Sequence, residues 1–428
     1  MAFAKSKKRT MEFVLLLVLI ASAHTSSTIR RFDREKVLRV KPQDEKQVSI
    51  LKDLADTNLL DFWHPSSAYN VIPKMDVDFR ISEDQFLHIH SVLKKNEIQY
   101  EVLIYDLQEE IEKQFDVKDD FPGRHSYSKY NDWSKIAAWT QRMTEKSPEL
   151  ISRVEIGKTG ENNPMYVLKV GKKSGQRRVI FMDCGIHARE WISPAFCQWF
   201  VYQAAKTYGK NKIMTKLLDK LNFYVLPVFN IDGYIWSWTK DRMWRKNRAK
   251  TDMPTCIGTD LNRNFNASWN SDPGTNHPCA EVYRGAAPES EKETKAVVNF
   301  IQSHIRVIEA YVSIHSYSQM LMFPYGYTKV MAPNHEELFK ISKLATEALA
   351  TRYETKYVYG PIATTIYPTS GSSIDWAYDL GIKRSFAFEL RDRGRYGFLL
   401  PESQIMATCK ETMMAIKSIA KYILKNPL

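Results

Sequence analysis

The sequence predicts an α/β fold: a large mixed, mostly parallel sheet flanked by helices, preceded by a small α+β module. Strand-like and helix-like segments alternate from about residue 121 onward, which is typical of a largely buried mixed or parallel sheet. Before that point the segments are shorter, and Pro122-Gly123 within "DDFPGRHSY" (119–127) interrupts any helix. We therefore expect a front module before residue 121 and a body after it.

The front module shows both kinds of periodicity. Apolar residues in "EDQFLHIHSVLKKN" recur at helical spacing, whereas "KVLRV" alternates as a half-buried strand does. The predicted strands are 36–40, 75–81 and 100–106, and the predicted helices are 83–96 and 107–115.

The body contains several apolar runs without alternation, as expected for strands buried on both faces. The predicted strands are 177–186, 222–234, 309–317 and 384–390, and the predicted helices are 192–209, 289–305 and 411–426. We find no internal repeat.

The first 23 residues have the pattern of a secretory signal. Basic residues precede the apolar run "FVLLLVLI" (13–20), and "ASA" (21–23) offers small residues for cleavage. The run is shorter than the roughly 20 residues that a membrane-spanning helix needs. The prediction is a secreted protein, with neither membrane nor nucleic acid among its partners.

The charge is unevenly distributed. Residues 1–120 hold 18 Lys and Arg against 21 Asp and Glu, a net −3, whereas the whole chain carries +12 and the body therefore +15. The two parts should attract each other, and so basic a body favours an anionic partner. Two basic stretches stand out, 169–178 and 239–250, and "NAS" (266–268) makes Asn266 a glycosylation acceptor.

Cysteine usage fits an oxidising compartment. The five cysteines contain no C-x-x-C pair, so a thiolate zinc site is not expected. We expect disulfides Cys256–Cys279 and Cys184–Cys197, which leaves Cys409 unpaired.

Three segments carry metal-ligand chemistry. His187 and Glu190 follow one predicted strand, His315 lies near the end of a second, and Glu389 lies near the end of a third. An H-x-x-E pair alone occurs often by chance, but strand ends meet at one edge of a sheet. Two His and one Glu form an open catalytic zinc site, with one position left for water or substrate.

Together these motifs bear a family resemblance. "GRHSYSKY", "CGIHAREW", "IHSYSQM", "TIYPTSGSSIDWAYDLG" and "FAFELRD", in this order, resemble the zinc carboxypeptidases of the A/B type. The resemblance implies a zymogen with a signal peptide at 1–23, an inhibitory propeptide at 24–120 and a catalytic domain at 121–428. It also implies activation by proteolysis near residues 119–124.

The resemblance assigns the reacting groups. It implies one Zn²⁺ held by His187, Glu190 and His315, with Glu389 as the general base that activates water and later protonates the leaving amine. Arg245 matches the residue that stabilises the developing oxyanion.

The resemblance also assigns the groups that bind substrate. Asn262, Arg263 and Tyr367 match the residues that hold the terminal carboxylate of a peptide, and a bidentate Arg suits that planar anion. Arg189 and Tyr317 match subsite contacts. Peptide and protein C-termini are therefore the expected substrates.

Substrate preference should depend on Ile374. In the family an Asp at this position selects basic C-terminal residues, whereas an aliphatic residue selects apolar ones. The other expected members of an apolar pocket are Met322, Gly326, Ile362 and Ile366. Thr369 and Ser372 are more polar than in the pancreatic A forms and could alter the ranking of apolar residues.

Two alternatives stay open at this point. One is a related zinc deacylase acting on small N-acyl amino acids, which Tyr367 and a long front module disfavour. The other is a catalytically silent cationic protein, which the intact ligand set disfavours. For either enzyme or binder, the resemblance suggests a heparin-like proteoglycan in secretory granules as the anionic partner.

Overall fold

The computed structural model describes residues 29–58, 60–118, 123–173, 175, 177–271 and 275–427. The predicted signal and part of the predicted linker, including the boundary at 120/121, lie outside the described residues. Within the described ranges no helix has both the length and the apolar character needed to cross a bilayer.

The front module is a four-stranded antiparallel sheet in the order β2-β3-β1-β4, with two helices packed on it. A capping box between Ser82 and Gln85 starts the second helix where the sequence predicts it. The elements are β1 (Lys36–Val40), α1 (Glu45–Asn58), β2 (Asp61–His64), β3 (Val77–Ile81), α2 (Glu83–Lys95), β4 (Tyr100–Ile104) and α3 (Leu107–Lys113).

The body is an eight-stranded sheet in the order β11-β10-β12-β9-β7-β8-β6-β5. Its four central strands, β12, β9, β7 and β8, are parallel, and antiparallel pairs occur at both sides. The strands are β5 (Ile151–Lys158), β6 (Pro164–Val170), β7 (Arg178–Cys184), β8 (Leu221–Leu226), β9 (Ile308–Ser316), β10 (Met320–Phe323), β11 (Val358–Pro361) and β12 (Ser385–Leu390). The predicted fold class is confirmed.

Helices cover this sheet and complete one continuous apolar core. They are α4 (Trp133–Lys146), α5 (Ile192–Thr207), α6 (Lys212–Lys220), α7 (Ile231–Thr239), α8 (Lys292–Ser303), α9 (His335–Tyr353), α10 (Ile362–Thr365), α11 (Ser373–Leu380) and α12 (Ile405–Lys425). Short 3-10 helices lie at Ala68–Asn70, Leu261–Arg263, Gly397–Leu399 and Glu402–Gln404.

One predicted strand is wrong in its second half. The segment 222–234 forms a strand only as far as Leu226, and α7 begins at Ile231. Pro227 has no backbone N–H for the sheet. The side chain of Asn230 then accepts a hydrogen bond from the Gly233 amide and caps the helix.

Both predicted disulfides are formed, and Cys409 is free and buried. Cys184–Cys197 ties the end of β7 to α5, so it closes the short loop between them. Gly185 starts that loop with φ 68°, and a Cβ there would lie 2.8 Å from Cγ of Pro194. Only glycine fits this turn, for both reasons.

Replacing Gly185 by Ala should therefore destabilise the body. The left-handed conformation costs about 1–2 kcal/mol for a residue with a Cβ, and the clash with Pro194 adds about 1–3 kcal/mol. The matched control is Gly209→Ala, which has φ 75° but nothing within 4 Å of the new Cβ. Urea unfolding should show a clearly larger loss for Gly185→Ala, and equal losses would mean that the loop yields to the Cβ.

Candidate metal centre and active site

The strands β7, β9 and β12 bring the predicted metal-binding groups to one edge of the sheet. These strands are parallel, so their carboxyl ends lie together. His315 and Glu389 are paired across β9 and β12, and His187 and Glu190 lie in the loop that follows β7.

Two imidazoles and a carboxylate converge there. Nδ1 of His187 lies 2.7 Å from Oε1 of Glu190, and Nδ1 of His315 lies 3.3 Å from Oε2. The two Nδ1 atoms are 3.3 Å apart, and one ligand atom from each of the three residues falls within 4.8 Å of the others. All three side chains are buried. Such a set of nitrogen and carboxylate donors, with their lone pairs turned inward, fits Zn²⁺.

A buried carboxylate holds His187 in the orientation that a ligand needs. Nε2 of His187 lies 3.1 Å from Oδ1 of Asp260, so the ring donates there and keeps Nδ1 free. Arg245 donates to the other oxygen of Asp260 through Nε (3.0 Å) and Nη2 (2.8 Å). Burial opposes ionisation of Asp260, but Arg245 and His187 outweigh it and hold its pKa well below the usual range.

Glu389 lines the cavity beside these groups. Burial raises the pKa of Glu389 to about 8. A carboxyl whose two protonation states are both accessible near neutral pH is suited to moving a proton.

The four residues predicted to bind an oxyanion or carboxylate, namely Arg245, Asn262, Arg263 and Tyr367, line the same cavity. The 3-10 helix Leu261–Arg263 positions two of them, and Asp260 caps it. The backbone of Gly371 packs so closely on Arg263 that a Cβ would lie 2.1 Å from the Arg263 carbonyl oxygen. This contact fixes the backbone of Arg263 relative to the segment that leads into α11.

Apolar side chains line one part of the cavity. Ile374, at the start of α11, is 1% exposed, and Met322, Ile362 and Ile366 lie around it. Thr369 and Ser372 also line the cavity. Gly326 is not among the residues that line this cavity, and its amide donates to the carboxylate of Asp375.

The front module covers the cleft. Trp63, His64 and Ser66 line the cavity together with the predicted site residues, and only about 70 Å³ remains, room for a few water molecules. Ser66 Oγ accepts a hydrogen bond from Nη2 of Arg263 (3.1 Å) and lies 2.9 Å from the Tyr367 hydroxyl. A neutral hydroxyl from the front module therefore occupies the predicted carboxylate site.

A buried ion pair anchors this cover. Nη1 of Arg189 donates to both carboxylate oxygens of Asp61, at 2.9 and 3.2 Å. Burial opposes ionisation of Asp61, but Arg189 and Arg80 prevail and hold its pKa at about 2. The hydroxyl of Tyr317 donates to Asp78, which is fully buried. Both predicted subsite residues, Arg189 and Tyr317, thus contact the front module.

Sequence reasoning missed Asp61, Asp78 and Asp260. An acid within the apolar run "LLDFWH" was one available signal, because a buried carboxylate needs a partner. The basic stretch 239–250 lies only partly at the surface: Arg242, Arg245 and Lys246 are buried, and Arg242 donates a hydrogen bond to Gln114 of the front module.

Comparison with known proteins agrees with this geometry. The family described as zinc carboxypeptidase matches residues 136–415, and that described as carboxypeptidase activation peptide matches residues 38–114. The chain belongs to the zinc carboxypeptidase family. It is a zymogen of the A/B type, a zinc metallocarboxypeptidase that hydrolyses peptides and carries its own propeptide as inhibitor.

Individual relatives cover almost the whole chain. Human mast cell carboxypeptidase A is 67% identical over 97% of this chain and 100% of its own length. Human carboxypeptidase B is 53% identical over 96% and 98%. A crystal structure of thrombin activatable fibrinolysis inhibitor has 42% identity and a TM-score of 0.87, covering 92% of this chain and 100% of that one. The family assignment favours a peptidase over the deacylase and the silent binding protein.

The ion pair between Asp61 and Arg189 predicts how firmly the propeptide closes the cleft. Removing one partner of a buried pair costs about 3–5 kcal/mol, so Asp61→Asn should raise the activity of the uncleaved zymogen at least about ten-fold. The measurement is hydrolysis of a short peptide before and after proteolytic removal of the propeptide.

The same variant supplies its own control, since cleaved Asp61→Asn and cleaved wild type are the same enzyme. Unchanged activity before cleavage would show that contacts other than this ion pair keep the cleft closed.

Proposed function

We propose that this chain is a secreted zymogen whose body removes apolar residues from the C-termini of peptides and proteins. The observation that supports it most directly is the joint lining of one cavity by the His187–Glu190–His315 cluster, Arg263 and Ile374. The proposed parts are a signal peptide at 1–23, a propeptide at 24–120 and a catalytic domain at 121–428, with activating cleavage near 119–124.

In the proposed mechanism, Nδ1 of His187, Nδ1 of His315 and the carboxylate of Glu190 would hold the metal. Bound Zn²⁺ supplies Lewis acidity, which polarises a carbonyl and lowers the pKa of a coordinated water. Glu389 takes a proton from the attacking water and transfers it to the leaving amine. Arg245, oriented by its two hydrogen bonds to Asp260, donates to the oxygen on which negative charge develops.

Terminal specificity comes from Arg263, Asn262 and Tyr367. The Ser66 hydroxyl now occupies the place beside Arg263 and Tyr367 where a substrate carboxylate would bind. A buried guanidinium favours an anionic carboxylate over a neutral peptide carbonyl. The enzyme would therefore act at chain ends rather than within chains.

Replacing Glu389 by Gln tests the proposed base. The variant should keep one zinc per chain, but kcat of the cleaved enzyme should fall about 10²–10⁴-fold, because the amide cannot accept the proton. Zinc content and steady-state kinetics check both statements, with the exposed Glu347→Gln on α9 as the matched control. Substantial residual turnover would remove Glu389 as the base.

Substrate preference follows from the apolar lining around Ile374. Burial of a Phe or Leu side chain there stabilises the complex by about 1.5–3 kcal/mol. The head group of a Lys or Arg would be desolvated without a carboxylate partner, which is costly. Thr369 and Ser372 place hydroxyls beside the pocket, where they affect the ranking of apolar residues.

A panel of peptides that differ only in the last residue tests this preference. The cleaved enzyme should release terminal Phe and Leu but not Arg or Glu, and a zinc chelator should stop the release, as followed by mass spectrometry. Ile374→Asp should shift the preference toward Lys and Arg, while Ile374→Val should keep it. An unchanged preference in Ile374→Asp would assign the pocket to another residue.

The excess positive charge of the body supports storage with a heparin-like proteoglycan in secretory granules. A groove of about 890 Å³ between α4 and α5 is lined by basic side chains and by the aromatic rings of Tyr127, Trp139 and Tyr202. The basic residues that line it are Arg124, Lys135, Arg142, Lys146 and Lys206. Sulfate groups would complement this charge, so we place the polyanion here.

Two variants of equal charge separate a site from diffuse attraction. Arg142→Gln, Lys146→Gln and Lys206→Gln together should lower the salt concentration that elutes the protein from immobilised heparin. A control triple outside the groove, Lys172→Gln and Lys173→Gln from the basic stretch 169–178 together with the exposed Arg306→Gln, removes the same charge and should have a smaller effect. Equal shifts would mean that net charge alone governs binding.

A further inference from the structure

The Nε2 atoms of the two histidines in the candidate metal centre contact different groups. His187 donates directly to a carboxylate, that of Asp260. Nε2 of His315 instead lies 3.0 Å from the hydroxyl oxygen of Ser313, and this hydroxyl donates to Oδ1 of Asp183 at 2.9 Å. His315 is thus connected to a carboxylate through a serine.

The sheet itself builds this connection. Ser313 and His315 are two residues apart in β9, so their side chains lie on the same face. Asp183 in β7 is the register partner of Ser313 across the parallel pair. Ser313 and Asp183 are fully buried and His315 is 3% exposed, so water does not compete for these hydrogen bonds.

The protons shared among Asp183, Ser313 and His315 determine which nitrogen of the His315 ring is protonated. A serine hydroxyl has one proton, and that of Ser313 is donated to Asp183. Oγ of Ser313 can then only accept from Nε2 of His315, which places the ring proton on Nε2. Nδ1 keeps its lone pair, and Nδ1 is the atom that faces Glu190 and His187.

We propose that Ser313 and Asp183 are positioning residues that set the tautomer and orientation of His315 and thereby the affinity of the body for zinc. The inference rests on the proposed role of His315 as a zinc ligand. Groups behind a ligating histidine typically change metal affinity about 10–100-fold when they are lost.

Zinc affinity of the full chain tests the proposal without reference to turnover. Ser313→Ala removes the acceptor for Nε2, and Asp183→Asn lets an amide donate to Ser313, whose hydroxyl can then turn to Nε2 and favour a proton on Nδ1. Both variants should bind zinc about 10–100-fold more weakly in competition with a chromogenic chelator. The matched control is Ser342→Ala, a fully buried serine in α9, which should bind as wild type does.

Two further measurements separate the possible failures. Metal-free Ser313→Ala should unfold at a lower temperature than Ser342→Ala, because it leaves the buried Asp183 and His315 without their partner, whereas the Ser342 hydroxyl has no hydrogen-bond partner among the described residues. It should still be folded at the temperature of the zinc measurement; a Ser313→Ala protein that is unfolded there would make Ser313 a structural residue and overturn the proposal. His315→Ala should lose far more zinc affinity than either. If His315→Ala loses zinc while Ser313→Ala and Asp183→Asn keep it, the positioning role is wrong and the ligand set stands. If His315→Ala keeps zinc, the ligand set itself is wrong.

Discussion

The register of the parallel strands β7, β9 and β12 is the constraint on which the rest of the active site depends. It pairs Asp183 with Ser313 and His315 with Glu389, so one alignment positions the proposed zinc ligand His315, the two residues proposed to orient it, and the proposed base. A slip by one residue would turn His315 to the opposite face of the sheet. Because the central strands are buried on both faces, such a slip would also expose apolar side chains. Packing of the core therefore stabilises the register that aligns the site residues.

The propeptide contacts two arginines of the body that are proposed to bind substrate. Arg189 and Arg263 are buried cations, and each would be costly without a partner. Asp61 supplies a full carboxylate to Arg189, whereas Ser66 supplies only a hydroxyl to Arg263. The stronger contact therefore lies at the proposed subsite residue and the weaker one at the proposed carboxylate site. A ligand with a terminal carboxylate would therefore compete at Arg263 with a single hydroxyl of the propeptide, not with a carboxylate.

Much of this site could be predicted from the sequence because it depends on strand ends and short spacings. Buried strands end near His315 and Glu389, and the H-x-x-E spacing follows another. The positions of Asp183 and Asp260 could not be predicted in the same way, because their partners are 130 and 73 residues away and meet them only through the sheet and the loop packing. The strand predicted at 222–234 was too long because the sequence stays apolar through a buried turn. Pro227 and the helix cap Asn230, not hydrophobicity, determine where the strand ends and the helix begins.

Runs of basic residues were the least reliable guide to the charge of the protein surface. Composition cannot tell whether a cation faces water or another side chain. In 239–250, Arg245 binds Asp260 and Arg248 stacks on Trp236 and Trp244, so these charges contribute little to the outer surface. In 169–178, Lys172 and Lys173 are exposed as expected.

In the proposed mechanism, specificity and catalysis depend on different elements of the fold. The metal-binding and proton-transfer groups belong to the parallel strands and the loop after β7, whereas Ile374 belongs to α11, whose first amide donates to the side chain of Asn262. The side chain of Ile374 can therefore change without altering the strand register that aligns His315 with Glu389. The hydrogen bond from the Ser373 amide to Asn262 and the close contact of Gly371 with the Arg263 backbone couple the pocket to the carboxylate site. An enzyme built in this way can alter which terminal residue it accepts while it keeps both its zinc and its restriction to chain ends, since those depend on groups outside the helix.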